Sequence, residues 1–215
     1  MRTRHYVLLM AAAAITATAA DETAERLVRA ATVLNTLTGT AHGIQPEQIA
    51  GADCVAVIPG FKKGAAVVGV GYGRGFISCR NGGKWSAPGA ITLESGSLGV
   101  QFGGEGIDIV ILSMDRDRRS KLLSDRFAIG SDASAAWGNG KSAHNDTNAK
   151  ILFFGLTKGV FAGFGLDGAT LKPDESANKA LYGGKLDNHQ IVEGETQAPA
   201  VAQLFPATVA HAANR

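Results

Sequence analysis

The stretch Val67–Arg80, VVGVGYGRGFISCR, carries glycine at four alternate positions, Gly69, Gly71, Gly73 and Gly75. A period of two belongs to a strand, and a strand built this way has one face bare of side chains. A bare face lets a helix, another strand or an aromatic ring lie close to the backbone, or lets the strand bend in a barrel-like sheet. The competing reading is a phosphate-binding loop, and GFGLDG, Gly163 to Gly168, is a literal G-x-G-x-x-G. That motif needs a helix directly after it, whose N-terminus holds the pyrophosphate. Here it is followed by ATLKPD, a β-type segment stopped by Pro173, and no G-x-x-x-x-G-K-[ST] occurs in the chain. The glycines therefore read as architecture, and nucleotide binding is set aside.

The surrounding texture agrees. Residues 21–38, DETAERLVRAATVLNTLT, place Leu27, Ala30, Ala31, Leu34 and Leu37 on one helical face, with Asp21 and Glu22 where a helix N-terminus favours acids. A short helical piece, PEQIAGA, leads into CVAVIP, an apolar strand closed by Pro59. Asn81-Gly82-Gly83 is a turn, KWSAPGAITLES is extended, and Ile107 to Leu112 is a nearly continuous apolar strand. DRDRRSKLLSDRF, Asp115 to Phe127, reads as a helix with Leu122, Leu123 and Phe127 inward and its charges in water. The expected fold class is α+β: N-terminal helices packed on a curved, mostly antiparallel, glycine-rich sheet that is barrel-like. The polar, alanine-rich residues 186–215 read as a loosely structured C-terminal extension to a domain over residues 20–185.

The first residues, MRTRHYVLLMAAAAITATAA, give a basic start, a short apolar run and the small residues Ala17-Thr18-Ala19, the order of a secretory signal peptide over residues 1–19. No cysteine follows the cleavage point to suggest a lipid anchor, so the expected location is periplasmic or secreted. Removing that segment takes away Arg2 and Arg4 and leaves the 19 acidic residues matched by as many basic ones. With no net charge, attraction to an anionic partner must come from a local patch. Cys54 and Cys79, the chain's two cysteines, read as a disulfide in an oxidising compartment, with two buried thiols as the alternative.

No catalytic constellation is present: no H-E-x-x-H, no G-x-S-x-G and no histidine at zinc spacing from a cysteine. His144 near Asp146 reads as a solvated turn, and Asp108, Glu94 and Glu105 as partners of nearby basic groups. The basic residues are more suggestive as a set. Lys62 and Lys63 precede the glycine strand, Arg74, Arg80 and Lys84 lie along or after it, and Arg116, Arg118 and Arg119 crowd one short segment. Together they suit anionic lipid headgroups. No cofactor, metal or nucleic acid is implied.

Several segments, in order, resemble the SYLF domain: CVAVIPGFKKGA, GVGYGRGFISCR, WSAPGAITLESGSLGVQFGGEGIDIVIL, FAIGSDASAA, TKGVFAGFGLDGA and ALYG. The resemblance runs from about Thr23 to Gly183, nearly all of the exported part of the chain. It implies a non-enzymatic lipid-binding protein of a secreted bacterial branch, bound to anionic phospholipid at the envelope membrane surface. The contacts it implies are a basic patch at Lys62, Lys63, Arg74 and Arg80 and an amphipathic helix around Leu27, Leu34 and Leu37. Related bacterial sequences often carry cysteines at both matching places, which favours the Cys54–Cys79 bridge. The sequence departs from the family pattern after DASAA, where it reads WGNGKSAHNDT. An alternative of a different class is a periplasmic scaffold that binds another envelope protein.

Overall fold

In the computed structural model the described residues are 3–40, 43–63, 71–95, 106–129, 133–135, 150–157, 160–161 and 168–215, with side chains of residues 3–19 outside the description. Gly69, Glu105, the Trp137–Asp146 stretch and most of GFGLDG lie outside the described residues. The chain opens with α1 (Thr3–Thr38), so the expected leader and the expected first helix form one continuous helix, and α2 (Pro46–Gly51) follows. Among the described residues ten strands follow, most of them in one sheet: β1 (Cys54–Lys63), β2 (Gly71–Asn81), β3 (Lys84–Trp85), β4 (Gly89–Ser95), β5 (Ile107–Ser113), β6 (Phe127–Ala128), β7 (Ala133–Ala135), β8 (Ile151–Thr157), β9 (Val160–Phe161) and β10 (Thr170–Pro173). Between β5 and β6 lie a 3-10 turn, Arg116–Arg118, and α3 (Arg119–Leu122); the chain ends in α4 (Glu175–Tyr182), α5 (Asn188–Val192) and α6 (Leu204–Ala213).

The strand order is β6-β10-β4-β2-β1-β5-β8-β7, with β3 on β2 and β9 on β8. All described pairings are antiparallel except β7 with β8. The sheet curls into a half-barrel, and each of its faces carries a buried core. Inside the curl, Cys54, Ala56, Ile58, Ile77, Cys79 and Ile109 meet Leu122, Leu123 and Phe127. On the outer face, Val55, Val57, Phe76 and Val110 meet Leu27, Leu34 and Leu37 of α1 and Phe205 and Val209 of α6.

The alternating glycines sit on the inner face of β2, where they clear room for β1. A Cβ on Gly71 would lie 2.4 Å from the Phe61 ring, and one on Gly73 would lie 2.5 Å from Ile58. Gly75 is tighter still, since its Cβ would meet the Val57 carbonyl oxygen at 1.9 Å. Phe61 reaches this face because β1 does not stop at Pro59. The register slips between Ile58 and Phe61, Gly60 takes φ of 61°, and its N–H donates to Asp108 Oδ1 at 2.7 Å. The extra residue puts Ile58 and Phe61 on the same side although they are three apart. Asp108 thus serves a backbone amide and, among the described residues, no basic group, whereas Glu94 does pair with Lys172. ATLKPD continues as β10, a strand as expected.

The C-terminal residues are not a loose extension. Ile191 and Val192 of α5 are buried in the inner core, and Phe205, Val209 and Ala212 of α6 in the outer one. Asn188, 1% exposed, closes a polar network with Asn178 and the Ala90 backbone: Ala90 N donates to Asn178 Oδ1 at 2.8 Å, Asn178 Nδ2 to Asn188 Oδ1 at 2.8 Å, and Asn188 Nδ2 to Ala90 O at 3.2 Å. The compact unit therefore runs through Ala212, because these side chains complete cores that residues up to 185 leave open.

Candidate membrane-facing surface

The two ends of the central strands fix where the basic residues fall. Cys54, Cys79 and Ser113 are register partners at one end of β1, β2 and β5; Lys63 and Gly71 are partners at the other. Cys54 and Lys62 are eight residues apart, about 26 Å along a strand. Arg80, Lys84 and the Arg116–Arg119 segment belong to the first end, Lys62 and Lys63 to the second, and Arg74 lies between them. The structure does not gather the expected set into one patch.

Several members of the set have structural work. Arg80 donates from Nε to Ala52 O (3.1 Å) and from Nη2 to Ala50 O (2.7 Å), binding the C-terminal end of α2, and it stacks 4.6 Å from the Trp85 ring. Arg119, expected in water, is buried and forms a two-toothed ion pair with Asp53. Arg118 lies 3.5 Å from Asp115, and that carboxylate also meets Lys150 at 3.3 Å. The hydrogen bond from Asp117 N holds the Asp115 carboxyl below the usual carboxylate range. Lys84 and Arg116 are exposed, and the Lys63 side chain lies outside the described residues. The helix expected to reach lipid does not present its apolar face. Leu27, Leu34 and Leu37 are each 0% exposed, because the outer face of the sheet needs that stripe as its cover.

The Lys62 end has a different character. Lys62 and Tyr72 are cross-strand partners and so share a face, the outer one that also carries Arg74 and Phe76. Lys62 is exposed and Tyr72 is 48% exposed, among the few large apolar side chains in water. Val28 of α1, 48% exposed, is another. An amphipathic aromatic beside a lysine is the pairing found at membrane interfaces, where the ring enters the headgroup layer and the ammonium stays among phosphates. Tyr72 carries no sequence signal beyond its place on the polar face of a strand.

Arg74 is held between elements. Its Nε donates to Asp174 Oδ2 at 2.5 Å and its Nη2 to Ser176 Oγ at 3.0 Å. The hydrogen bond to Asp174 raises the Arg74 pKa. Burial works against ionisation of Asp174, but hydrogen bonds from Arg74, Ser176 and the Ala177 amide outweigh it and keep the carboxyl below its ordinary value. Among the described residues, no helix is long and apolar enough to cross a membrane, and no three His, Cys, Asp or Glu side chains converge as metal ligands would.

The motifs that carry the family resemblance are joints. In WSAP, the buried Ser86 Oγ accepts from Cys79 N at 3.1 Å. In ALYG, Tyr182 OH donates to Pro88 O at 2.7 Å, and burial pushes the phenol well above its usual pKa. Gly183, with φ of 72°, ends α4 in the left-handed conformation that glycine favours. The two motifs therefore meet in space and clamp α4 onto the sheet.

Known proteins match along the same elements. The family model Ysc84, described as "Las17-binding protein actin regulator", matches residues 94–212. The SH3 domain-containing YSC84-like protein 1 of Xenopus laevis is 29% identical over 188 residues, covering 84% of this chain and 56% of its own length. The human protein of the same name is 28% identical over 187 residues, covering 84% and 54%. Protein YSC84 of Saccharomyces cerevisiae is 30% identical over 181 residues, covering 74% and 38%. The chain thus spans about half or less of the length of the curated relatives it matches. With the family match covering more than half of the chain, from β4 through α6, this chain belongs to the Ysc84 family, the SYLF-domain proteins that its motifs resemble.

Proposed function

We propose that this chain is a non-enzymatic, exported protein that binds the surface of an anionic membrane. The observation that carries the reading is the exposed Lys62–Tyr72 pair at one end of the β1–β2 ladder, with Arg74 on the same face. The N-terminal leader pattern supports export, and the bonded Cys54–Cys79 pair fits an oxidising compartment. Anchoring is electrostatic, at about 1 kcal/mol for each well-placed basic residue, with an apolar contribution from the Tyr72 ring.

A second reading, an envelope scaffold with a protein partner, is favoured by a different place. Val201 (39% exposed) and Leu204 (42% exposed) stand near a groove lined by Leu181, Tyr182 and Leu186. The family description, which names a protein-binding regulator, points the same way.

Vesicle co-sedimentation of residues 20–215 separates the two. Binding to phosphatidylglycerol or cardiolipin vesicles, absent on zwitterionic ones and lost as salt rises, is the expected result. Lys62→Glu with Tyr72→Ser is expected to weaken it about tenfold, on the scale of a charge reversal and a lost interfacial ring. Lys84→Ala, at the far end of the sheet, is expected to leave it unchanged. Salt-insensitive binding, or none, overturns the lipid reading and leaves the protein-partner reading.

A further inference from the structure

At the Cys54–Cys79 end of the sheet, α2, the β2–β3 hairpin and α6 enclose an open groove of about 410 Å³, a volume in the range of small-molecule sites. Ala50 lines it from α2, Arg80, Lys84 and Trp85 from the hairpin, and Ala207 and Ala210 from α6. The hairpin turns tightly at Gly82 and Gly83, with φ of 57° and 86°, which sets Trp85 opposite Arg80. Arg80 is fixed in advance. Nε and Nη2, one edge of its guanidinium fork, donate to Ala52 O and Ala50 O, and its Cζ lies 4.6 Å from the centre of the Trp85 ring. Nη1 makes no hydrogen bond among the described residues and is open to solvent, so the Nη1–Nη2 edge is unused. The positive charge here has no counterion among the described residues. Arg80 is bound by neutral carbonyls, Lys84 forms no ion pair, and no acidic residue lines the groove. The carboxylates of the neighbouring segments are placed elsewhere: Asp53 holds Arg119, Glu193 faces His189 at 3.0 Å, and the exposed Glu47 and the terminal Arg215 lie outside the lining.

We propose that this groove binds a soluble organic acid, one carboxylate carried on a compact apolar body. The unused guanidinium edge offers two parallel N–H donors, which match the two coplanar oxygens of a carboxylate. Because the carbonyls of α2 and the Trp85 ring already hold Arg80, little ordering remains when the anion arrives. Lys84 adds a second cation that needs no fixed geometry. The apolar body lies against the indole of Trp85 and the short side chains of Ala207 and Ala210, which leave a flat surface for it. Arg80 is eight residues along β2 from Tyr72, about 26 Å, so this site is separate from the candidate membrane contact and does not rest on the membrane reading.

The test is a titration of the whole chain with phenylacetate at constant ionic strength, followed by the backbone amide resonances. Saturable shifts at Gly83, Lys84, Trp85, Ala207 and Ala210 are the expected result. Phenylacetamide keeps the ring and loses the charge, and it is expected to bind about tenfold more weakly, the scale of a charge-assisted hydrogen bond. Acetate keeps the charge and loses the ring, and it is expected to be weaker by about tenfold or more, the scale of the apolar area lost. Lys84→Gln removes an exposed side chain with no partner among the described residues, so it is expected to fold as the wild type does and to weaken phenylacetate binding about two- to fivefold, as for an exposed ion pair. Arg80→Lys, which keeps the charge without the planar fork, is expected to weaken it about tenfold, with the spectrum of the free variant reporting that α2 stays in place. No shift at these amides overturns the site. Phenylacetamide binding as tightly as phenylacetate overturns the anion, and acetate binding as tightly overturns the apolar body. Loss of vesicle binding alone removes the membrane reading and leaves this site standing.

Discussion

At Gly73 a single hydrogen atom decides how closely two strands approach. A methyl group there would press on Ile58 Cγ2 and the Phe61 ring, at 2.5 and 2.9 Å. Both side chains are fully buried and cannot retreat. Gly73→Ala is therefore expected to destabilise the protein by about 1–3 kcal/mol, the range for overpacking a core, read as a lowered urea midpoint. Gly184→Ala, where nothing lies within 4 Å of the new Cβ, is expected to leave the midpoint nearly unchanged. The bare face of this strand was legible from its period of two. Its occupant was not, since Phe61 reaches it through the irregularity at Pro59–Gly60, and the sequence there reads as the end of a strand. Arg74, Arg80 and Arg119 show the same limit. Each is a basic residue by composition, and only their partners, Asp174, the Ala50 and Ala52 carbonyls, and Asp53, reveal that they hold elements together.

Helix α6 makes the argument at the next scale. Phe205, Val209 and Ala212 follow the i, i+4, i+7 spacing of a buried helical stripe, so the signal lies in the sequence. The polar residues 186–203 before it break the apolar texture and suggest a tail. The helix packs because α1 and the outer face of the sheet form a groove that needs filling, and Phe205 fills it, 6.3 Å from the Phe76 ring between centroids. Phe205→Ala is expected to cost about 3–5 kcal/mol, as for other buried phenylalanines, measured by denaturant unfolding. A cost below 1 kcal/mol would mean that α6 is not integral to the core. Helix α1 carries the converse lesson. Its apolar stripe is legible, yet a stripe alone does not say whether it faces lipid or protein. The sheet and α6 together bury it, which moves the candidate membrane contact from the helix to the strand pair beside it.

Across the whole molecule, the half-barrel has two cores separated by one sheet, and the disulfide joins the two central strands, β1 and β2, at one end. The bridge spans 25 residues of sequence, for which the chain-entropy model gives about 3.5 kcal/mol. Cys54→Ser with Cys79→Ser is expected to lower the unfolding free energy by about that amount, and vesicle binding at a temperature where the variant stays folded is expected to be unaltered. The α+β class, the curved antiparallel sheet, the apolar stripe of α1, the bare face of β2, and the family follow from the sequence alone. Each rests on local spacing or short motifs, which a linear chain displays directly. The division of the basic residues between two ends of the sheet, the use of Arg80 and Arg119 as internal ties, and the incorporation of α6 were decided by the tertiary structure. These depend on strand register and on which face each element turns to its neighbour, and residues far apart in sequence acquire those relations only when the chain closes on itself.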